Sequence, residues 1–129
     1  RSKSLDVFGN NYDTLDGTAI RDYIHVTDLA SAHIASLEYI INKGKNITLN
    51  LASGKGYSVL DVIKTAEEIT KNKIPYKIVG RREGDPAKLV AVSKFTKETI
   101  CWECKYSDIE TIIDSMWKVY KTKKLKVKS

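Results

Sequence analysis

Ile47-Thr48-Leu49-Asn50-Leu51-Ala52-Ser53-Gly54-Lys55-Gly56-Tyr57-Ser58-Val59-Leu60-Asp61-Val62-Ile63 changes its hydrophobic period halfway along, and that change decides the fold class. Ile47, Leu49 and Leu51 alternate with Thr48 and Asn50, the period of a half-buried strand. A turn containing Gly54 and Gly56 follows. Ser58 and Asp61 form a Ser-x-x-Asp helix start, and Val59, Val62, Ile63, Ala66 and Ile69 then share one helical face. Ile74 to Val79 reads as a second strand. Strand, helix and strand over a span of about 30 residues predict a β-α-β crossover with parallel strands.

Outward from this unit the chain stays within the same class. Upstream, Val26, Leu29, His33, Leu37, Ile40 and Ile41 recur at helical spacing, with Thr27 placed to cap the start and Gly44 to end the helix. Before that helix come two clusters of turn residues, Phe8-Gly9-Asn10-Asn11 and Leu15-Asp16-Gly17-Thr18. Downstream, a short helix is expected over residues 93–98. A longer one starts at Ser107, where Ser107-Asp108-Ile109-Glu110 reads as a capping box and Ile109, Ile112, Ile113, Met116 and Trp117 make the buried stripe. No repeat or linker interrupts the order. The expectation is a small α/β domain with helices on a limited sheet over residues 1–120, followed by a basic tail, 121–129.

Composition narrows the class further. With 129 residues and 42% hydrophobic content, one packed domain is expected and a second full domain is not. The charged fraction is 29%, and no apolar run approaches the roughly 20 residues that cross a bilayer, so the chain reads as soluble and without a membrane partner. Arg1-Ser2-Lys3-Ser4 is not followed by the apolar stretch of a signal peptide, which points to the cytoplasm. The net charge of +6 suggests nucleic acid only until it is located. Lys121, Lys123, Lys124, Lys126 and Lys128 supply most of it, and a frayed, solvated terminus is the commoner origin of such a tail. Cys101 and Cys104 form a Cys-x-x-Cys without a second pair of ligands. His25 and His33 stand in another segment, so no zinc site is expected.

Two segments carry candidate chemistry. In Arg21-Asp22-Tyr23-Ile24-His25-Val26 the arginine offers a planar fork suited to phosphate oxygens, and Tyr23 points to the same side of an extended chain. The competing reading is an ion pair of Arg21 with Asp22 or Asp28. In Gly80-Arg81-Arg82-Glu83-Gly84-Asp85-Pro86 adjacent arginines repel unless an anion sits between them. That loop reads as a diphosphate site with Asp85 as acceptor for ribose hydroxyls, or as a surface loop whose own Glu83 and Asp85 neutralise the arginines.

The order of these segments resembles the UDP-glucose 4-epimerases of the extended short-chain dehydrogenase/reductase superfamily. The resemblance rests on Val7-Phe8-Gly9, Asp16-Gly17-Thr18, Arg21 to Val26 with Asp28-Leu29-Ala30, Asn50-Leu51-Ala52-Ser53-Gly54, Ser58 to Val62, and Arg81-Arg82-Glu83-Gly84-Asp85. It runs from Leu5 to Tyr120 and corresponds to the C-terminal, substrate-binding part of such enzymes. It implies that Phe8 and the backbone of Asp6 lie against uracil, Arg21 and Arg82 clamp the phosphates, Asp85 takes a ribose hydroxyl and Tyr23 lines the pocket. Leu89 would stand near the sugar, where relatives differ, which leaves plain and N-acetylated sugars both open.

The same resemblance implies NAD in the complete enzyme and none bound to this chain. The glycine-rich dinucleotide loop and N-terminal Rossmann half are absent, and Ser53-Gly54-Lys55-Gly56 is too short to replace that loop. Tyr39 with Lys43 and Tyr120 with Lys124 match the family's Tyr-x-x-x-Lys pair only by chance spacing, so no catalytic residue is assigned. The expected function is the UDP-sugar-binding part of a UDP-glucose/UDP-galactose 4-epimerase, inactive alone. The parent would be a homodimer, and the piece would self-associate through its exposed interdomain face. A dehydratase, a decarboxylase or a UDP-N-acetylglucosamine 4-epimerase is the near alternative. A stand-alone anion- or nucleic-acid-binding module is the distant one.

Overall fold

The computed structural model describes residues 4–128, with side chains up to residue 123. In chain order the elements are β1 (Leu5–Phe8), β2 (Ile20–Arg21), α1 (Val26–Lys43), β3 (Tyr57–Ser58), α2 (Val59–Thr70), β4 (Tyr76–Val79), β5 (Lys88–Leu89), α3 (Lys94–Ile100) and α4 (Ile109–Lys128). The chain is an α/β domain with two small sheets. β1 pairs in parallel with β4, Leu5 opposite Tyr76 and Phe8 opposite Val79. β2 lies between antiparallel β3 and parallel β5.

The parallel unit forms, but with a different first strand. Residues 47–51 are extended without entering a ladder among the described residues, and Leu5–Phe8 takes the place beside β4. The alternation is still there in the burial, with Ile47, Leu49 and Leu51 half-buried and Thr48 and Asn50 exposed. It arises because Leu49 and Leu51 pack on the cluster of Ala32, Ile100 and Trp102. A period of two reports a face against a core. It does not report a hydrogen-bonded neighbour.

Helix ends follow local chemistry, with two corrections. Ser58 and Asp61 make the expected reciprocal capping box on α2, and Gly44 ends α1 in the left-handed region at φ 64°. At α1, however, His25 is the cap. Its Nδ1 accepts from the Thr27 amide at 3.0 Å, so Thr27 is already inside the helix. At α4 the cap is Asp108, whose carboxylate accepts from the Thr111 amide at 3.0 Å. The Ser107 hydroxyl is instead engaged by Asp28 and by the His25 amide. Helix α4 continues through the segment expected as a frayed tail, to Lys128.

The core sits between α1, α3 and the 100–107 connection, with Ala32, Ile100 and Trp102 buried and Tyr39 and Cys104 packed against them. α2 packs on α4, burying Ile63 and Ile109. The apolar residues that recur along α1 are largely open. Val26 is 72% exposed and Ile41 71%, whereas Asp28 and Ala32 face inward. Among the described residues no helix is long and apolar enough to cross a membrane.

Candidate functional site

The loop between β4 and β5 separates its two arginines. Arg81 turns back on the loop after β1, where its Nε donates to Asn11 Oδ1 at 2.8 Å and its guanidinium stacks 4.0 Å from the Tyr12 ring centre. Gly9 makes room for it. At φ 97° a Cβ there would lie 2.7 Å from Arg81 Cγ. Arg82 points the other way, over the exposed Phe8 ring at 4.7 Å, and its Nε donates to Asp85 Oδ2 at 2.9 Å. The neighbouring cations thus go to separate partners, each resting on an aromatic face.

Asp85 reaches Arg82 because Gly84, at φ 80°, closes a turn in which the Asp85 amide donates to the Arg82 carbonyl. This is the neutralising reading of the loop in part: Asp85 pairs with Arg82, while Arg81 is held by Asn11 and Tyr12. Asp6 sits on β1 with its carboxylate 3.7 Å from Lys77 Nζ, the cross-strand neighbour on β4.

Arg21 is positioned by β2. Its register partner on β5 is Leu89, 60% exposed, and the Asp22 amide donates to the Leu89 carbonyl at 3.2 Å. Neither carboxylate proposed as its partner takes it. Asp22 Oδ1 accepts from the Ser53 amide and hydroxyl at 3.0 and 2.7 Å, and Oδ2 from the Gly54 amide at 3.1 Å. Asp28 is 2% exposed and accepts from the Lys105 and Tyr106 amides and the Ser107 hydroxyl. Among the described residues no carboxylate lies within ion-pair distance of Arg21, whose guanidinium donates only to its neighbour's carbonyl, Ile20 O, at 2.8 Å. Tyr23 beside it is half-buried. Burial pushes its phenol up, and the Arg21 charge pulls partly the other way.

The structure therefore brings Phe8, Arg82 and Asp85 together at the β1 edge, and Arg21, Tyr23 and Leu89 along β2 and β5. Among the described residues the two groups share no hydrogen bond or ion pair. They are tied through the 80–87 loop, whose last residue, Ala87, accepts the Ile20 amide at 2.8 Å. Sequence reasoning missed Asn11 and Tyr12 as the seat of Arg81, and missed what Asp22 and Asp28 hold. Their partners lie tens of residues away along the chain, and no local pattern marks them.

The glycine turn before α2 is occupied by its own protein contacts. The Lys55 amide donates to Ser53 Oγ, the Val59 amide to Ala19 O, the Leu60 amide to Thr18 Oγ1 and the Asp61 amide to Ser58 Oγ. Asp16 accepts from the Ser58 hydroxyl at this helix start. Gly56 is packed rather than open, since a Cβ there would meet Ile20 Cγ2 at 2.5 Å and Val90 Cγ2 at 2.8 Å. Tyr39 packs on the core cluster and Tyr120 stacks on Trp117. Cys101 is exposed in the left-handed region at φ 53°. Cys104 donates weakly to Ala52 O, and burial raises its thiol above the ordinary value.

Comparison with known proteins gives one picture. The NAD dependent epimerase/dehydratase family model matches residues 1–52. A UDP-glucose 4-epimerase of Halalkalibacterium halodurans is 44% identical over 115 residues, 89% of this chain and 34% of that protein. The crystal structure of a UDP-glucose 4-epimerase from Stenotrophomonas maltophila, with bound NAD and formylated UDP-arabinopyranose, superposes with a TM-score of 0.85 at 39% identity. It covers 91% of this chain and 34% of its own. One from Bifidobacterium longum, in complex with NAD+ and UDP, gives 0.80 at 39% identity over 88% and 33%. The chain spans about a third of the length of the curated relatives it matches.

Proposed function

We propose that this chain, similar to UDP-glucose 4-epimerases over about a third of their length, binds the UDP part of a nucleotide-sugar substrate. The whole protein would be an NAD-dependent UDP-glucose/UDP-galactose 4-epimerase, an isomerase. The observation that carries the reading is Arg21, half-buried on β2 with no carboxylate against its guanidinium among the described residues, in a fold whose neighbouring loop presents a second arginine over an aromatic ring. A cation left without a counter-charge in a partly dry place favours an anionic ligand. Phe8 offers an apolar face for a base, Arg82 a second fork for a diphosphate, and Asp85 an acceptor for ribose hydroxyls. Leu89, beside Arg21, would lie towards the sugar and leave room there.

The residues present do not fit NAD. A dinucleotide phosphate needs free amides at a glycine turn and helix N-terminus. In the one such turn among the described residues that leads into a helix, the Gly54, Lys55, Val59, Leu60 and Asp61 amides are already taken, and Asp16 and Asp61 add negative charge. The hydride chemistry therefore belongs, on this reading, to the part of the relatives' length that this chain does not match. The open apolar face of α1 supports self-association of the chain by itself.

Titration with UDP, uridine and a short DNA duplex at two salt concentrations tests the proposal. UDP binding weakened by both Arg21→Gln and Arg82→Ala is the expected result. Steeply salt-dependent duplex binding with no response to UDP would instead favour a nucleic-acid module and overturn it.

A further inference from the structure

Asp22 stands between Arg21 and Tyr23, yet its own side chain pairs with neither of them but with the turn at 53–54. Three donors converge on its carboxylate, the Ser53 amide and hydroxyl on Oδ1 and the Gly54 amide on Oδ2, all within 2.7–3.1 Å. On the other side its amide is held by Leu89 O. Residue 22 is thus fastened from both directions, by side chain to the turn at 53–54 and by backbone to β5. β2 itself is only two residues long and ends at Arg21, so beyond it the ladder contributes little to fixing Tyr23. Gly54 is able to present its amide because it adopts φ 77°, a left-handed turn open to glycine at no cost.

We propose that Asp22 is a positioning residue for the phosphate-binding arm, fixing the direction of Arg21 and the burial of Tyr23 by hooking their strand onto the Ser53–Gly54 turn. The inference rests on the UDP-binding reading for its ligand but not for its geometry. Alternation along an extended chain places residues 21 and 23 on one side and residue 22 on the other. A carboxylate at 22 therefore acts on its neighbours only through the backbone they share. Charge-assisted hydrogen bonds of this kind are among the stronger ones in proteins, and losing them leaves residues 22–24 held by neutral hydrogen bonds, the Asp22 amide on Leu89 O before Tyr23 and the His25 amide on Ser107 Oγ after it.

The test compares wild type, Asp22→Asn and Asp22→Ala in the full chain by two readouts. In Asp22→Ala, UDP affinity falls about tenfold or more while uridine affinity stays within about twofold, because the phosphate arm moves and the Phe8 platform does not. Asp22→Asn, which keeps one acceptor for Ser53 but turns a donor toward Gly54, falls between. The second readout needs no ligand. Burial is the main cause that raises the Tyr23 phenol, so NMR-detected titration of Tyr23 shifts down towards the ordinary tyrosine value when the hook is cut. A folded variant with UDP affinity and Tyr23 titration both unchanged overturns the proposal, as does an equal loss of uridine and UDP binding. Should Asp22→Ala fail to fold, the same two readouts on Asp22→Asn decide. Should wild type itself ignore UDP, the functional reading falls and the positioning role is judged on Tyr23 alone.

Discussion

Arg82 covers Phe8: the guanidinium lies 4.7 Å from the ring centre while Asp85 holds its Nε at 2.9 Å. The three groups proposed to meet base, phosphate and ribose therefore contact one another. A base that takes the Phe8 face under Arg82 would require that side chain to swing aside. Phe8→Leu should cost less than about 1 kcal/mol of stability, the scale of an exposed cation–π contact. It should weaken uridine and UDP binding alike, read by calorimetric titration beside thermal melts.

Arg21 behaves differently because, among the described residues, no carboxylate pairs with it. Arg21→Gln keeps β2 pairing, which is backbone only, and should leave stability within about 0.5 kcal/mol of wild type or slightly above it. Affinity for UDP should fall at least tenfold, with uridine nearly unaffected, since a fork to phosphate is worth roughly 1.5–3 kcal/mol. Equal loss for both ligands would move Arg21 away from the phosphates.

Asp28 links stability to pH. Burial by itself would raise its carboxyl, but hydrogen bonds from the Ser107 hydroxyl and the Lys105 and Tyr106 amides, with His25 nearby, bring the net shift below the ordinary value. A carboxyl depressed in the folded state contributes stability that is fully present above its unfolded value, about 3.9, and is lost as pH falls through the lower folded value. Asp16 and Asp108 are shifted in the same direction and add to the same acid limb. Chemical melts should be flat above about pH 5 from these groups and weaken below. Asp28→Asn should cost about 2–4 kcal/mol at pH 7 and shallow that limb.

Gly17 turns the chain at φ 82° with its Cα hydrogens against the Asn10 carbonyl. A Cβ would sit 1.9 Å from that oxygen. Backbone rather than a flexible side chain must yield, so Gly17→Ala should destabilise by about 2 kcal/mol or more. The same change at Gly44, where φ is 64° but no atom lies within 4 Å, should cost less. Denaturant midpoints of the two variants give the ranking.

Much of the local structure was legible. Ser58 with Asp61, Gly44 after α1 and Gly84 in the arginine loop act through neighbours a few residues away, and their signals need nothing else to be read. The start of α4 was misread by one residue because Ser107 and Asp108 are both good caps. Which one caps was settled by Asp28, 79 positions upstream, taking the Ser107 hydroxyl. The resemblance of the chain was legible too, because ordered motifs survive as sequence.

Sequence alone determined the α/β class, the helices and their periods, and the residue types gathered at the candidate site. Tertiary structure decided what each of those residues faces. It paired β4 with Leu5–Phe8 rather than with 47–51, aimed Arg81 at Tyr12 and Arg82 at Phe8, and gave Asp22 and Asp28 to distant amides and hydroxyls rather than to Arg21. The division has one physical cause. Hydrophobic period and capping are set within a few residues, whereas a charge or a strand edge takes its partner from whatever the fold brings near, and that proximity is not written in any local run of sequence.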